Sequence, residues 1–132
     1  MSPELINDEL YADLGTCYLQ KHLYKKAMDK YKKAIFINPN SYYAYCNLGY
    51  YYGVQGMHDE AIVAFKKAIS INPNNAYSYY SLAVALEYKK QYLLAKREII
   101  KYFEVIKNDP SQKDIKTFES ANSMFKRLEN KF

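Results

Sequence analysis

Apolar residues in this chain recur at helical spacing in short runs, and the runs themselves recur. In 42–55, Tyr45, Leu48, Gly49 and Tyr52 fall at i, i+3, i+4 and i+7, one face of a helix. In 57–71, Ala61, Phe65, Ala68 and Ile69 fall at i, i+4, i+7 and i+8, the buried stripe of a second helix. Gly56 breaks the first helix from the second. The run "NPNN" ends the second, because the residue before Pro73 is pushed out of the helical region and asparagine supplies turn and cap chemistry.

The same pattern lies upstream at a fixed distance. "KKAIFINPN" at 32–40 returns as "KKAISINPN" at 66–74, and Gly15 and Gly49 are 34 residues apart, as are Pro39 and Pro73. Tyr11, Leu14, Gly15, Tyr18, Ala27, Tyr31 and Ala34 take the places of Tyr45, Leu48, Gly49, Tyr52, Ala61, Phe65 and Ala68. A third unit is looser. Tyr79, Leu82, Leu86, Ala95 and Ile99 keep their slots, Ala83 stands for the glycine, Tyr102 for the small residue, and Pro110 arrives three residues late. The delay predicts a lengthened second helix. Gly49 and Ala61 mark a close crossing of the paired helices, where a larger side chain forces the axes apart. Last, Ile115, Phe118, Phe125 and Leu128 have helical spacing in a polar segment, a terminal helix that covers the open apolar end of a repeat stack.

A 34-residue helix–turn–helix unit with these slots resembles the tetratricopeptide repeat family. The resemblance implies an all-α chain, a right-handed α-solenoid of three helix-turn-helix repeats with a terminal solvating helix. One domain is expected over 1–132, with repeats at about 8–41, 42–75 and 76–109 and the capping helix at about 111–131. It also implies a concave face, lined by the first helix of each repeat, that binds a peptide or protein. Mapped onto this chain, that stripe is Glu9, Ala12, Asp13, Thr16 and Gln20, then Tyr43, Cys46, Asn47, Tyr50 and Val54, then Tyr77, Tyr80, Ser81, Val84 and Tyr88. The partner-binding residues expected are Thr16, Tyr43, Asn47, Tyr50, Tyr77, Tyr80, Ser81, Val84 and Tyr88, with Glu9 and Asp13 an acidic end suited to a basic ligand residue. Some family members grip the acidic tails of heat-shock chaperones with a fork of Lys, Asn and Arg. The matching positions here are Ala12, Thr16, Asn47, Tyr77 and Ser81, and one asparagine does not hold two carboxylates, so that ligand is not expected.

Composition narrows the alternatives. The 132 residues, 49% hydrophobic and 17% aromatic, suffice for a core and argue against disorder. No apolar run reaches membrane-spanning length, and the acidic start "MSPELINDELYADLG" is unlike a signal peptide. Cys17 and Cys46 form no disulfide framework or metal spacing, which points to a cytoplasmic address. His22 and His58 have no nucleophile or carboxylate at a catalytic spacing, "HDEA" at 58–61 lacks a second histidine one turn on, and there is no Gly-rich phosphate loop. Neither catalysis nor a cofactor is expected.

Two further readings stay open. The net charge is +5, with Lys25, Lys26, Lys30, Lys32, Lys33, Lys66, Lys67, Lys96, Arg97 and Lys101 on the second helices, a basic face able to meet nucleic acid or an acidic partner. Asp29, Asp59, Glu60 and Glu98 interrupt it, and the same lysine-rich composition follows from AT-rich codons. Leu5, Ile6 and Leu10 at the N-terminal end have no preceding helix to cover them, which suits a homodimer.

Overall fold

The computed structural model describes residues 6–132. It contains α1 (Asp8–Gln20), α2 (Tyr24–Ile37), α3 (Tyr42–Val54), α4 (His58–Ile71), α5 (Ala76–Tyr88), α6 (Tyr92–Asn108), a single 3-10 turn (Pro110–Gln112) and α7 (Ile115–Glu129), with no strand among the described residues. Length alone suggests one domain. The chain divides into two compact units, Met1–Ile71 and Asn72–Phe132, in keeping with a fold whose repeats touch only their neighbours.

The period reappears in the chemistry of the turns. Asn7, Ser41 and Asn75 are N-caps of α1, α3 and α5, each accepting a backbone N–H three residues on. The Asn38 and Asn72 side chains accept the N–H of Asn40 and Asn74, an Asx turn around each proline. Asp109 does the same for Ser111 around the late Pro110. The short turn inside each repeat needs a left-handed residue, and His22, Gly56 and Lys90 all have positive φ, 61°, 74° and 60°. Only the middle repeat fills that position with the residue that adopts it without strain.

In the first unit, α1 packs on α2 and α3 on α4 through the glycines. A Cβ on Gly15 would lie 2.7 Å from the Tyr31 ring, and one on Gly49 2.5 Å from that of Phe65. The register continues in the second unit as Ala83 and Ile99, both fully buried; an aliphatic side chain in place of a ring leaves room for a methyl. Between the two repeats of the first unit, Ala12, Ala34 and Ala44 form one core cluster, and Leu19, Ala27, Tyr31 and Tyr51 another. Tyr51 meets the rings of Tyr24, Tyr31 and Tyr52 edge-on at 6.3, 5.9 and 5.4 Å.

In the second unit, α6 runs 17 residues against 14 for α2 and α4, and Tyr102, in the slot of Ala34 and Ala68, is 1% exposed. Phe103 receives Phe118 and Phe125 of α7 edge-on at 5.9 and 6.2 Å. The buried stripe Ala121, Met124 and Leu128 completes the seat of α7. The Gln112 amide ties the 3-10 turn to the start of α5, accepting from the Ala76 N–H at 2.8 Å and donating to the Asn74 carbonyl at 2.7 Å.

Candidate functional site

The expected contact residues of the first unit sit on α1 and α3 with unequal access. Glu9 and Asp13 are exposed one turn apart on α1. Thr16 is half-buried and engaged: its hydroxyl donates to the Ala12 carbonyl at 3.3 Å and shares a 2.9 Å hydrogen bond with the Tyr31 hydroxyl. Burial outweighs that bond and pushes Tyr31 up to about 12. On α3, Tyr43 lies with its ring 4.1 Å from that of Tyr42 and packs against the alanine core, so part of its surface is structural. Burial, then the hydrogen bond to Tyr43, raises Tyr42 above the ordinary tyrosine range. Asn47 is half-buried. Tyr50 is 41% exposed and faces solvent one turn beyond it.

Two residues of the expected stripe are corrected here. Ala12 is wholly enclosed between α1, α2 and α3. Ser81 is 8% exposed, because α5 is enclosed over most of its circumference, with Ala76, Ser78, Tyr79, Leu82, Ala83, Ala85 and Leu86 also buried. Neither offers a partner a surface.

The second unit brings three of the expected residues to a cleft. Tyr80, Val84 and Tyr88 of α5 form one wall of a hollow of about 610 Å³, and the polar face of α7 forms the other. Tyr77 stands 50% exposed at the start of α5, its ring 6.2 Å from that of Tyr80. The facing wall carries Lys116, Glu119, Ser120 and Arg127. Arg127 donates to both Glu87 carboxylate oxygens, at 2.9 and 3.3 Å, and fixes α7 beside α5. Glu87, Lys116, Glu119 and Arg127 were not among the expected site residues. The polar positions of α7 opposite its buried stripe were visible in the sequence, but not the element they would face.

Most second-helix lysines with a resolved ring partner lie along aromatic faces of their own unit. Lys26 sits over Tyr18, Lys30 over Tyr11, Lys67 over Tyr45 and Lys101 over Tyr79, all at 5.7–5.9 Å from the ring centre. Lys33 is held by Asp29 at 3.4 Å. His22 hydrogen-bonds the Tyr24 hydroxyl at 3.3 Å in its left-handed turn. Cys17 is exposed and Cys46 half-buried, and no disulfide joins them. No group of three or more His, Cys, Asp or Glu able to hold a metal gathers among the described residues.

Sequence and structure comparisons agree with this architecture. Three profiles described as tetratricopeptide repeat match residues 8–41, 42–75 and 64–97. The last begins within α4 and ends within α6. No curated protein matches the sequence. Among solved structures, the Yersinia enterocolitica type III secretion chaperone SycD, in complex with a peptide of the translocator YopD, superposes with a TM-score of 0.82 at 20% identity, over 99% of this chain and 96% of that one. The TPR2B domain of yeast Sti1, in its complex with pHsp70, gives 0.82 at 20% identity over 95% and 98%. MamA gives 0.73 at 31% identity, over 80% of this chain and 61% of its own.

Proposed function

The chain belongs to the tetratricopeptide repeat family, an all-α solenoid of helix-turn-helix repeats with a terminal helix, and from that premise we propose that it is a non-catalytic scaffold or adaptor that binds a peptide or protein segment. The observation that carries this reading is the α5–α7 cleft, with Tyr80, Val84 and Tyr88 on one wall and charged side chains on the other. Such a surface offers apolar rings for an anchor residue and polar groups that fix its orientation. Its walls are held by the Arg127–Glu87 pair and the Phe103 cluster, so little ordering entropy is lost on binding. In the first unit, exposed Tyr50 offers a further aromatic contact, with Tyr43 and Asn47 half-buried beside it, while Glu9 and Asp13 favour a basic ligand residue. That the SycD and Sti1 relatives were solved with a peptide and with pHsp70 supports the same class of ligand.

The ligand we propose carries an apolar or aromatic anchor and is not an acidic chaperone tail. Of the five fork positions, Ala12 and Ser81 are buried, Thr16 is engaged with Tyr31, and Tyr77 has no amide or cation to offer. The basic face is the weaker reading, since its lysines are partly drawn onto neighbouring rings. For the N-terminal homodimer, Ile6 and Leu10 are 41% and 37% exposed, and Leu5 lies outside the described residues. No helix among the described residues is long and apolar enough to cross a membrane.

Peptides selected from a random display library against the purified chain test the proposal. They are expected to share an apolar or aromatic anchor. A Tyr80→Ala, Tyr88→Ala variant, shown folded by circular dichroism, then binds them about tenfold more weakly or worse, at both ~50 and ~300 mM salt. Undiminished binding by that variant sinks the cleft, and binding stripped by salt moves the site to the lysines.

A further inference from the structure

A second hollow, of about 430 Å³, opens between α3 and α4 and is almost wholly apolar, lined by Tyr45, Leu48, Tyr52, Val63 and Ala64, with Glu60 and Lys67 at its margins. It exists because the repeats differ at three positions of the second helix. In the first repeat the corresponding second-helix residues are Lys26, Asp29 and Lys30, and the two lysines lie over the Tyr18 and Tyr11 rings and cover them. In the second repeat these become Glu60, Val63 and Ala64, which uncovers the Tyr52 ring, leaves Tyr45 only Lys67 at 5.9 Å, and leaves Val63 69% exposed. In the third they become Leu94, Arg97 and Glu98, and Glu98 ties down Lys101 at 3.3 Å.

The same unit carries an unpartnered apolar projection. Phe36, near the end of α2, is 88% exposed, the most exposed large hydrophobic side chain among the described residues, where the other repeats place Ser70 and Glu104. At that exposure its own chain does not fill the hollow. Charge matches the two surfaces: Lys32, one turn from Phe36, and Glu60, on the rim, are both exposed and form no ion pair among the described residues. Lys33 is compensated by Asp29, so it does not oppose Lys67.

We propose that the α3–α4 hollow receives Phe36 of a second copy of this chain, with Lys32 of that copy beside Glu60. A single such contact leaves Phe36 of one copy and the hollow of the other unoccupied, so association goes on either by further copies or by the reciprocal contact between the same two. One ring and its surroundings bury less than a standard interface, so the dissociation constant falls on the order of 0.1–1 mM. This surface involves neither the α5–α7 cleft nor the N-terminal residues, and it stands or falls separately from the peptide-binding reading.

Sedimentation velocity over ~10 µM to ~1 mM reads the outcome. The wild type is expected to show a weight-average mass that climbs with concentration, while Phe36→Ser and Val63→Lys, both substitutions of exposed residues, stay monomeric. An equimolar mixture of the two retains one intact contact, so it associates to a heterodimer and stops there. Lys32→Glu mixed with Glu60→Lys is expected to associate more strongly than either alone. A flat wild-type mass, unchanged association of Phe36→Ser, or a Phe36→Ser and Val63→Lys mixture that remains monomeric overturns the proposal.

Discussion

The glycines of α3 show how one residue type serves opposite ends within a single helix. Gly49 has no room for a Cβ, whereas a Cβ at Gly53 meets nothing within 4 Å. Alanine at 49 has to displace the Phe65 ring, a cost that exceeds the gain in helix propensity and gives a net loss of roughly 1–2 kcal/mol. Alanine at 53 carries only the propensity gain and stabilises by up to ~1 kcal/mol. Urea titrations of the two variants are expected to move in opposite directions. The turn residues invite the same comparison. Lys90 holds φ at 60° where Gly56 sits without strain, so Lys90→Gly is expected to raise stability by about 0.5–1 kcal/mol in the same assay, although glycine also loosens the unfolded chain. The closeness required at Gly15 and Gly49 was legible, because small residues at a fixed period next to aromatics have few other uses. The strain at His22 and Lys90 was not. Their side chains are polar and ordinary for a loop, and only the backbone angle reveals the demand.

At the scale of elements, α7 does more than its stripe of apolar residues announced. Leu128 is wholly buried against the second unit, and Leu128→Ala is expected to lower the unfolding free energy by about 2–4 kcal/mol, read by denaturant melts. Arg127 is about half exposed, so its pair with Glu87 adds less to stability than to position. The sequence marked a capping helix at about 111–131, and the helix occupies Ile115–Glu129 after a 3-10 turn. What it faced could not be read there. The α5–α7 cleft arises because the polar side of one amphipathic helix is laid beside Tyr80, Val84 and Tyr88, and amphipathicity fixes which face is buried without fixing the neighbour. Tyr51 was missed for a similar reason. It contacts the preceding repeat rather than its own pair, so no pattern within the repeat singles it out.

For the whole molecule, sixteen tyrosines among 132 residues make alkaline pH the condition to examine. Burial is the first cause of the raised values at Tyr31, Tyr42, Tyr79 and Tyr102, and Asp114 adds to it at Tyr102. These groups keep their protons in the folded state after the unfolded chain has begun to lose them. Stability is therefore undiminished below pH 10, falls as pH rises through that unfolded value, and for Tyr31 the loss is complete near 12, at roughly 2–3 kcal/mol. Thermal melts between about pH 9 and 12 are expected to show the drop, shallower in Tyr31→Phe. Equal slopes in the two proteins would remove Tyr31 from the account.

The sequence by itself determined the period, the helix pairs, their close crossings and the family, because each depends on residues that repeat in register along the chain. It also assigned each tyrosine of the first helices a direction from its helix axis, since an outward position is fixed by being opposite a crossing. Only the tertiary structure decided which of those positions stay open. Ala12 and Ser81 have the expected spacing but are buried, and the two hollows exist through the accident of which side chains a helix meets, Arg127 beside Glu87 in one and Ala64 in place of a lysine in the other. Periodicity specifies a direction from the helix axis, whereas access is set by whatever the fold brings to stand in that direction.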